Sequence, residues 1–219
     1  MMEGKNNVKY KAIIFDLDGV ICFTDEYHYL AWKQLADKLN IPFDRTINER
    51  LRGVSRMDSL EIILEKYTGP SLSDEEKERL ATEKNDIYRK SLENMSPKDL
   101  SDEVRNTLDA FRSKGLKLAI GSSSKNTKFI LGQIGLGDYF DAISDGTNIT
   151  RSKPDPEVFL KAAEFVSEAP SDCLVIEDAE AGVDAAAAGG FDSAGIGSAS
   201  NYDKATYHLN SFKDILLYV

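Results

Sequence analysis

Tyr10-Lys11-Ala12-Ile13-Ile14-Phe15-Asp16-Leu17-Asp18-Gly19-Val20 is the stretch that decides the fold. Its first half, to Phe15, is a short apolar and partly β-branched run, the pattern of a strand buried on both faces. Its second half sets two carboxylates and a glycine where such a strand would end. Similar runs recur at Leu116 to Ile120, ahead of Gly121-Ser122-Ser123-Ser124, and at Cys173 to Ile176, ahead of Glu177-Asp178. Helical patterns lie between them: Val104 to Lys114, closed by Gly115, and Pro156 to Ser167. Strands alternating with helices predict an α/β fold built on a parallel sheet. Ligands of such open sheets bind at the carboxyl ends of the strands. Three polar strand ends are therefore expected on one edge.

Residues 24–96 break this rhythm. They read as nearly all helical: Glu26 to Leu39, Arg56 to Tyr67 and Asp74 to Glu93. Ser73-Asp74-Glu75-Glu76 supplies an N-cap followed by acidic residues in the first turn. Pro42 and Gly69-Pro70 punctuate the segment. The expected division is a core of residues 1–23 and 97–219 with a helical insert of 24–96. No internal repeat or low-complexity tract is seen.

Composition narrows the partners. Against 27 Lys and Arg stand 37 Asp and Glu, for a net charge of −10. Such a surface disfavours nucleic acid and anionic membranes, while a small anionic substrate remains compatible with basic residues converging in a cleft. Two cysteines, Cys22 and Cys173, sit in unrelated contexts and form neither a disulfide framework nor a zinc motif. The polar start MMEGKNNVKY lacks the apolar region of a signal peptide, and no run approaches the ~18–20 apolar residues of a membrane span. A monomeric cytoplasmic enzyme is expected.

The strand ends suggest the chemistry. Asp16, Asp18, Glu177 and Asp178 would repel one another unless a cation neutralised them. A hard-oxygen site with one or two carboxylates, waters and a substrate phosphate suits Mg²⁺. A carboxylate such as Asp16 can also carry a phosphoryl group as an acyl phosphate. Asp18, two residues on, points another way and suits a general acid and base. Lys153, followed by Pro154, and the Ser122 hydroxyl suit the phosphoryl oxygens. Positioning and charge neutralisation supply most of phosphoryl-transfer catalysis.

Asp16-Leu17-Asp18-Gly19-Val20, Ser122, Lys153-Pro154 and Glu177-Asp178, in that order, resemble the four motifs of the haloacid dehalogenase superfamily. The insert narrows the resemblance. Thr24-Asp25-Glu26-Tyr27-His28, Trp32, Gly53-Val54-Ser55-Arg56 and Lys84-Asn85-Asp86 look like the cap of β-phosphoglucomutases, as does Ser122-Ser123-Ser124-Lys125-Asn126 in the core. That family implies a Rossmann-like core with a helical cap. It also implies interconversion of β-D-glucose 1-phosphate and D-glucose 6-phosphate through β-glucose 1,6-bisphosphate. By position, the resemblance makes Asp16 the nucleophile and Asp18 the acid–base. It puts Mg²⁺ on the Asp16 carboxylate, the Asp18 carbonyl and Asp178, with Glu177 nearby or coordinating. Ser122, Ser123 and Lys153 would face the transferring phosphate. Arg56, Ser124, Lys125 and Asn126 would grip the other phosphate. Thr24 and His28 would sit at the hinge end of the cap, and Trp32, Gly53, Lys84 and Asn85 are further expected substrate-side residues. The chain departs from the pattern in its longer polar start and in its own loop, Asp145-Gly146-Thr147-Asn148; neither removes a motif residue.

Plainer roles stand beside these. His28 is compatible with a surface position, Arg56 with a salt bridge to a neighbour such as Glu61, and Trp32 with the cap core. Glu177-Asp178 could cap the helix through Ala181 to Ala188, and Ser122 to Ser124 the helix after Lys125. Two rival functions remain: a phosphatase sharing nucleophile and metal, and a non-catalytic sugar-phosphate binder. A mutase alone needs a second anion grip, which Arg56 and Ser124-Lys125-Asn126 offer.

Overall fold

A computed structural model describes residues 9–51 and 54–219, so the expectation for Gly53 lies outside the described residues. Strands β1 (Ala12–Phe15), β2 (Lys117–Gly121), β3 (Ala142–Ser144), β4 (Cys173–Glu177), β5 (Asp192–Gly195) and β6 (Tyr207–His208) form one parallel sheet, in the order β3-β2-β1-β4-β5-β6. The three strands legible in the sequence are its centre. Phe15 registers with Ile120 on one side and Ile176 on the other. Asp16, Gly121 and Glu177 therefore come out side by side, with Ser122 one residue further on.

Alternation along β1 builds two cores. Ile13 and Phe15 enter a cluster with Phe111, Leu118, Ile120 and Phe212. Ala12 and Ile14 enter the opposite one, with Phe159, Val175 and Ala185. Helices α5 (Asp102–Ser113), α6 (Thr127–Gln133), α7 (Glu157–Phe165) and α8 (Glu180–Ala188) link the strands. β3, β5 and β6 have no counterpart in the sequence reading. They are short, and Asp192-Ser193-Ala194-Gly195 holds no β-branched or aromatic residue; ladder bonds to β4, not propensity, make β5 a strand.

The insert holds α1 (Asp25–Lys38), α2 (Arg45–Glu49), α3 (Arg56–Leu64) and α4 (Asp74–Leu92). The expected cap is present: Ser73 Oγ accepts from the Glu76 N–H, and Glu76 accepts from the Ser73 N–H at 2.8 Å. Helix α3 stops three residues short of the expected Tyr67, whose N–H turns back to the Leu64 carbonyl ahead of Gly69-Pro70. Trp32, Leu35, Phe43, Leu60, Ile63 and Ala81 form a core belonging to the insert. Ala31 from the middle of α1 and Tyr88 and Leu92 from the last turns of α4 join the sheet cluster. The insert thus roots on the sheet and carries its own packing above it. No helix among the described residues is long and apolar enough to cross a membrane.

Candidate active site

β1 delivers Asp16, whose N–H donates to the Ile176 carbonyl at 2.9 Å and so continues the ladder one residue beyond the strand. Asp16 Oδ1 accepts from Lys153 Nζ at 2.6 Å, and the same ammonium donates to Glu177 Oε1 at 2.6 Å. The second Glu177 oxygen accepts from the Ala179 N–H at 2.8 Å. All three side chains are buried. Burial pulls the Lys153 pKa down, but the carboxylates of Asp16 and Glu177 outweigh it and hold the ammonium charged. Both Glu177 oxygens are thus engaged inside the protein, where they hold Lys153 against Asp16.

Two glycines make room for the acidic groups. A Cβ at Gly182 would lie 1.9 Å from Glu177 Oε1, and one at Gly19 only 2.2 Å from Asp178 Oδ2. Gly19 also adopts φ +85°, the left-handed region where side chains are strained.

Asp18 is held by other partners than Asp16 is. Its oxygens accept from the Thr24 N–H at 2.7 Å and the Thr24 hydroxyl at 2.6 Å, and the Tyr88 hydroxyl donates to Thr24 Oγ1 at 3.1 Å. Burial pushes the Asp18 carboxyl up to about 7, although the Thr24 hydrogen bonds oppose it. A proton can therefore enter or leave near neutrality. Thr24 is 0% exposed and holds Asp18 from behind the cleft. Tyr88, missed in the sequence, stacks on His28 at 3.9 Å. Its signal was its place four residues after Lys84, on the same face of α4.

The insert supplies cations. Lys84 is 3% exposed, and its Nζ lies 2.8 Å from His28 Nδ1 and within 5 Å of the Trp32 and Tyr88 ring centres. Burial, reinforced by Arg56, lowers its pKa to about 7. Burial and the nearby Lys84 and Arg56 charges hold the His28 pKa well below its ordinary value. Arg56 does not pair with Glu61, which takes Lys77 at 2.8 Å. Its Nη2 donates to Asn85 Oδ1 at 2.8 Å.

After β2, the Ser122 N–H donates to the Ser144 carbonyl, and Ser122 Oγ accepts from the Ser124 N–H. Ser124 Oγ accepts from the N–H of Asn126, the residue before α6. The Ser123 hydroxyl is buried with no protein partner, as suits a group awaiting an acceptor. The Asp145–Asn148 loop props this turn from below: a Cβ at Gly146 would lie 2.4 Å from the Ser123 carbonyl. A cleft of about 600 Å³ runs between the strand ends and the insert. Every expected site residue among those described lines it except Thr24. Asn48 and Met57 line it too and were not foreseen. Cys22 and Cys173 are buried free thiols, as expected.

The donor set fits a hard cation. Four carboxylates line one end of the cleft, two of them on Lys153, and burial together with Glu177, Asp16 and Asp18 pushes the Asp178 carboxyl up to about 8. A dication beside Asp178 would relieve that repulsion. Among the described residues no three His, Cys, Asp or Glu side chains close into a ready-made cage. The protein offers part of a coordination sphere, the arrangement preferred by an ion that keeps waters and substrate phosphate.

The model of the haloacid dehalogenase-like hydrolase family matches residues 10–190. The chain belongs to that family. Within it, the chain is 44% identical to a β-phosphoglucomutase of Bacillus subtilis over 193 residues, covering 85% of this chain and 83% of that protein. A crystal structure of β-phosphoglucomutase from Clostridium difficile superposes with a TM-score of 0.86 at 40% identity, over 94% of this chain and 93% of that one. A phosphorylated-carbohydrate phosphatase of Thermotoga maritima is 29% identical, over 83% of this chain and 82% of that protein. The family, its β-phosphoglucomutase branch and the Rossmann-like core expected from the sequence are all borne out.

Proposed function

We propose that this chain is a β-phosphoglucomutase, interconverting β-D-glucose 1-phosphate and D-glucose 6-phosphate. The reading is carried by a cleft with an anchored nucleophile on its floor and a second cationic grip away from it, made by Arg56 of the insert with Lys125 and Asn126 of the core. The 44% identity to the Bacillus enzyme supports it.

Asp16 attacks the phosphorus of β-glucose 1,6-bisphosphate, the bond from phosphorus to the sugar oxygen breaks, and Asp18 gives that oxygen its proton. In the reverse transfer Asp18 takes the proton of the acceptor hydroxyl as the phosphoryl group leaves Asp16. Lys153, held by Glu177, faces the phosphoryl oxygens together with the Ser122 and Ser123 hydroxyls. Asp16, the Asp18 carbonyl and Asp178 would hold Mg²⁺, which would supply charge neutralisation at those oxygens. The helical insert acts as the cap over this site, excluding water from it. The cleft is complete within one chain, so a monomer suffices, and two free thiols suit the reducing cytoplasm.

The phosphatase reading differs only in the acceptor. A coupled assay for glucose 6-phosphate from β-glucose 1-phosphate, run beside phosphate release with and without EDTA, separates the two. Isomer in excess of phosphate, abolished by EDTA and restored by Mg²⁺, is expected. Stoichiometric phosphate without isomer would refute the mutase.

A further inference from the structure

Asn85, on α4, sits where the insert meets the core. Its Oδ1 accepts from Arg56 Nη2 at 2.8 Å and from Asn126 Nδ2 at 3.0 Å. Two donors on one atom fix the amide with its oxygen toward the grip, and they fill both lone pairs of that oxygen. Arg56 opens α3 and Asn126 precedes α6, so the two donors belong to opposite sides of the cleft. Arg56 is half-buried, and burial lowers its pKa, with the charge of Asp86 acting against that. The hydrogen bond that its guanidinium makes across α3 and α4 goes to the Asn85 amide oxygen. At this nitrogen a half-buried cation meets a neutral amide oxygen, a weak compensation for lost hydration. A phosphate oxygen presents a charge to the same donors, and charge-assisted hydrogen bonds are roughly twice as strong as neutral ones.

We propose that Asn85 is a specificity-determining residue: its side-chain oxygen holds the place of a phosphate oxygen between Arg56 and Asn126, and a ligand claims the grip only by bringing a dianionic group to displace it. The inference rests on the sugar-phosphate reading above. A neutral sugar hydroxyl gains nothing at this point, because it exchanges one neutral oxygen for another. A phosphate gains the difference between a charged and a neutral acceptor, twice over. Displacement also breaks the Asn85–Asn126 hydrogen bond between insert and core. The phosphate, held by both donors, then becomes the tie between the two parts.

If Asn85 instead binds sugar directly, removing it weakens the ligand; if it competes with the ligand, removing it strengthens binding. Calorimetric titration of the full chain decides, using glucose 6-phosphate, mannose 6-phosphate, fructose 1-phosphate and unphosphorylated glucose as probes. Asn85→Ala is expected to bind its best phosphorylated sugar about threefold to tenfold more tightly than wild type. Asn85→Asp, which fixes an anion against Arg56, is expected to bind it at least about tenfold more weakly. Weaker binding by Asn85→Ala, with its melting midpoint kept, overturns the inference. Should the alanine variant fold poorly, the aspartate variant decides alone, and unchanged affinity overturns the inference. A wild-type chain that binds a phosphorylated sugar yet makes no glucose 6-phosphate refutes the mutase reading and leaves this test standing. Failure of every phosphorylated sugar to bind overturns both.

Discussion

The floor and the roof of the cleft handle charge in opposite ways. On the floor, Asp16, Lys153 and Glu177 form a buried chain of opposite charges at 2.6 Å contacts, set by the ends of β1 and β4 and by the loop that carries Lys153. On the roof, Arg56 leans on an amide and Lys84 on two aromatic rings and an imidazole. On the floor, Lys153 has both of its carboxylate partners within the protein. On the roof, the hydrogen bonds of the partly desolvated Arg56 and Lys84 go to neutral groups, so its charge balance improves when an anionic ligand arrives. Rigid chemistry below and responsive recognition above follow from which counter-groups each region has.

The sharpest way to break this contrast is at the nucleophile. Asp16→Asn keeps size and shape but removes the attacking oxygen, so mutase turnover should fall by more than about 10⁴-fold. Mass spectrometry after a phosphoryl donor should find a hydroxylamine-labile adduct on the Asp16 peptide of the wild-type chain. An adduct on Ser122 instead would move the nucleophile. Lys153→Ala leaves two buried carboxylates facing each other without their ammonium. Loss of about 3–5 kcal/mol in urea unfolding is expected, and a loss under 1 kcal/mol would mean that water or a metal already screens the floor.

Asp18→Asn tests the proposed acid–base on the floor. A positioned acid–base contributes ~10²–10⁴-fold, so sugar turnover should drop by about that much while Asp16 still accepts phosphoryl from a donor with a good leaving group. Near-full sugar turnover would place the role elsewhere. On the roof, Arg56→Ala should lower mutase kcat/KM by about 10- to 100-fold and slow hydrolysis of the phosphoenzyme by water far less. Equal losses in both reactions would make Arg56 structural. The smallest effect belongs to Lys84. Its folded pKa of about 7 lies below its ordinary 10.5, so between those values the unfolded chain binds a proton that the folded chain lacks. Stability should therefore rise with pH across that window. Lys84→Met should gain about 1–2 kcal/mol over wild type near pH 7, shrinking toward pH 10. A gain independent of pH would show that Lys84 is folded in its charged form.

What the sequence revealed follows the same division. β1, β2 and β4 were legible because central parallel strands are continuous apolar runs, and their polar ends followed from them. β5 was not, since its residues carry no strand preference and its neighbours impose the conformation. Asp16, Lys153 and Asp178 stood out by motif. The attachment of Asp18 to Thr24, the grip of Glu177 on Lys153 and the meeting of Arg56 with Asn85 did not. Each is a contact between residues on different elements, set by packing that no local pattern encodes.

Gly19 and Gly182 carry no functional group, yet two of the site's carboxylates occupy the space their missing side chains leave. The shape of the floor is therefore recorded partly in what the chain omits. For anyone redesigning this enzyme, these positions have an alphabet of one letter, whereas a residue that merely touches substrate can be exchanged and compensated. Evolution of new substrate preference has to travel through the roof, because the floor has no spare volume in which to vary.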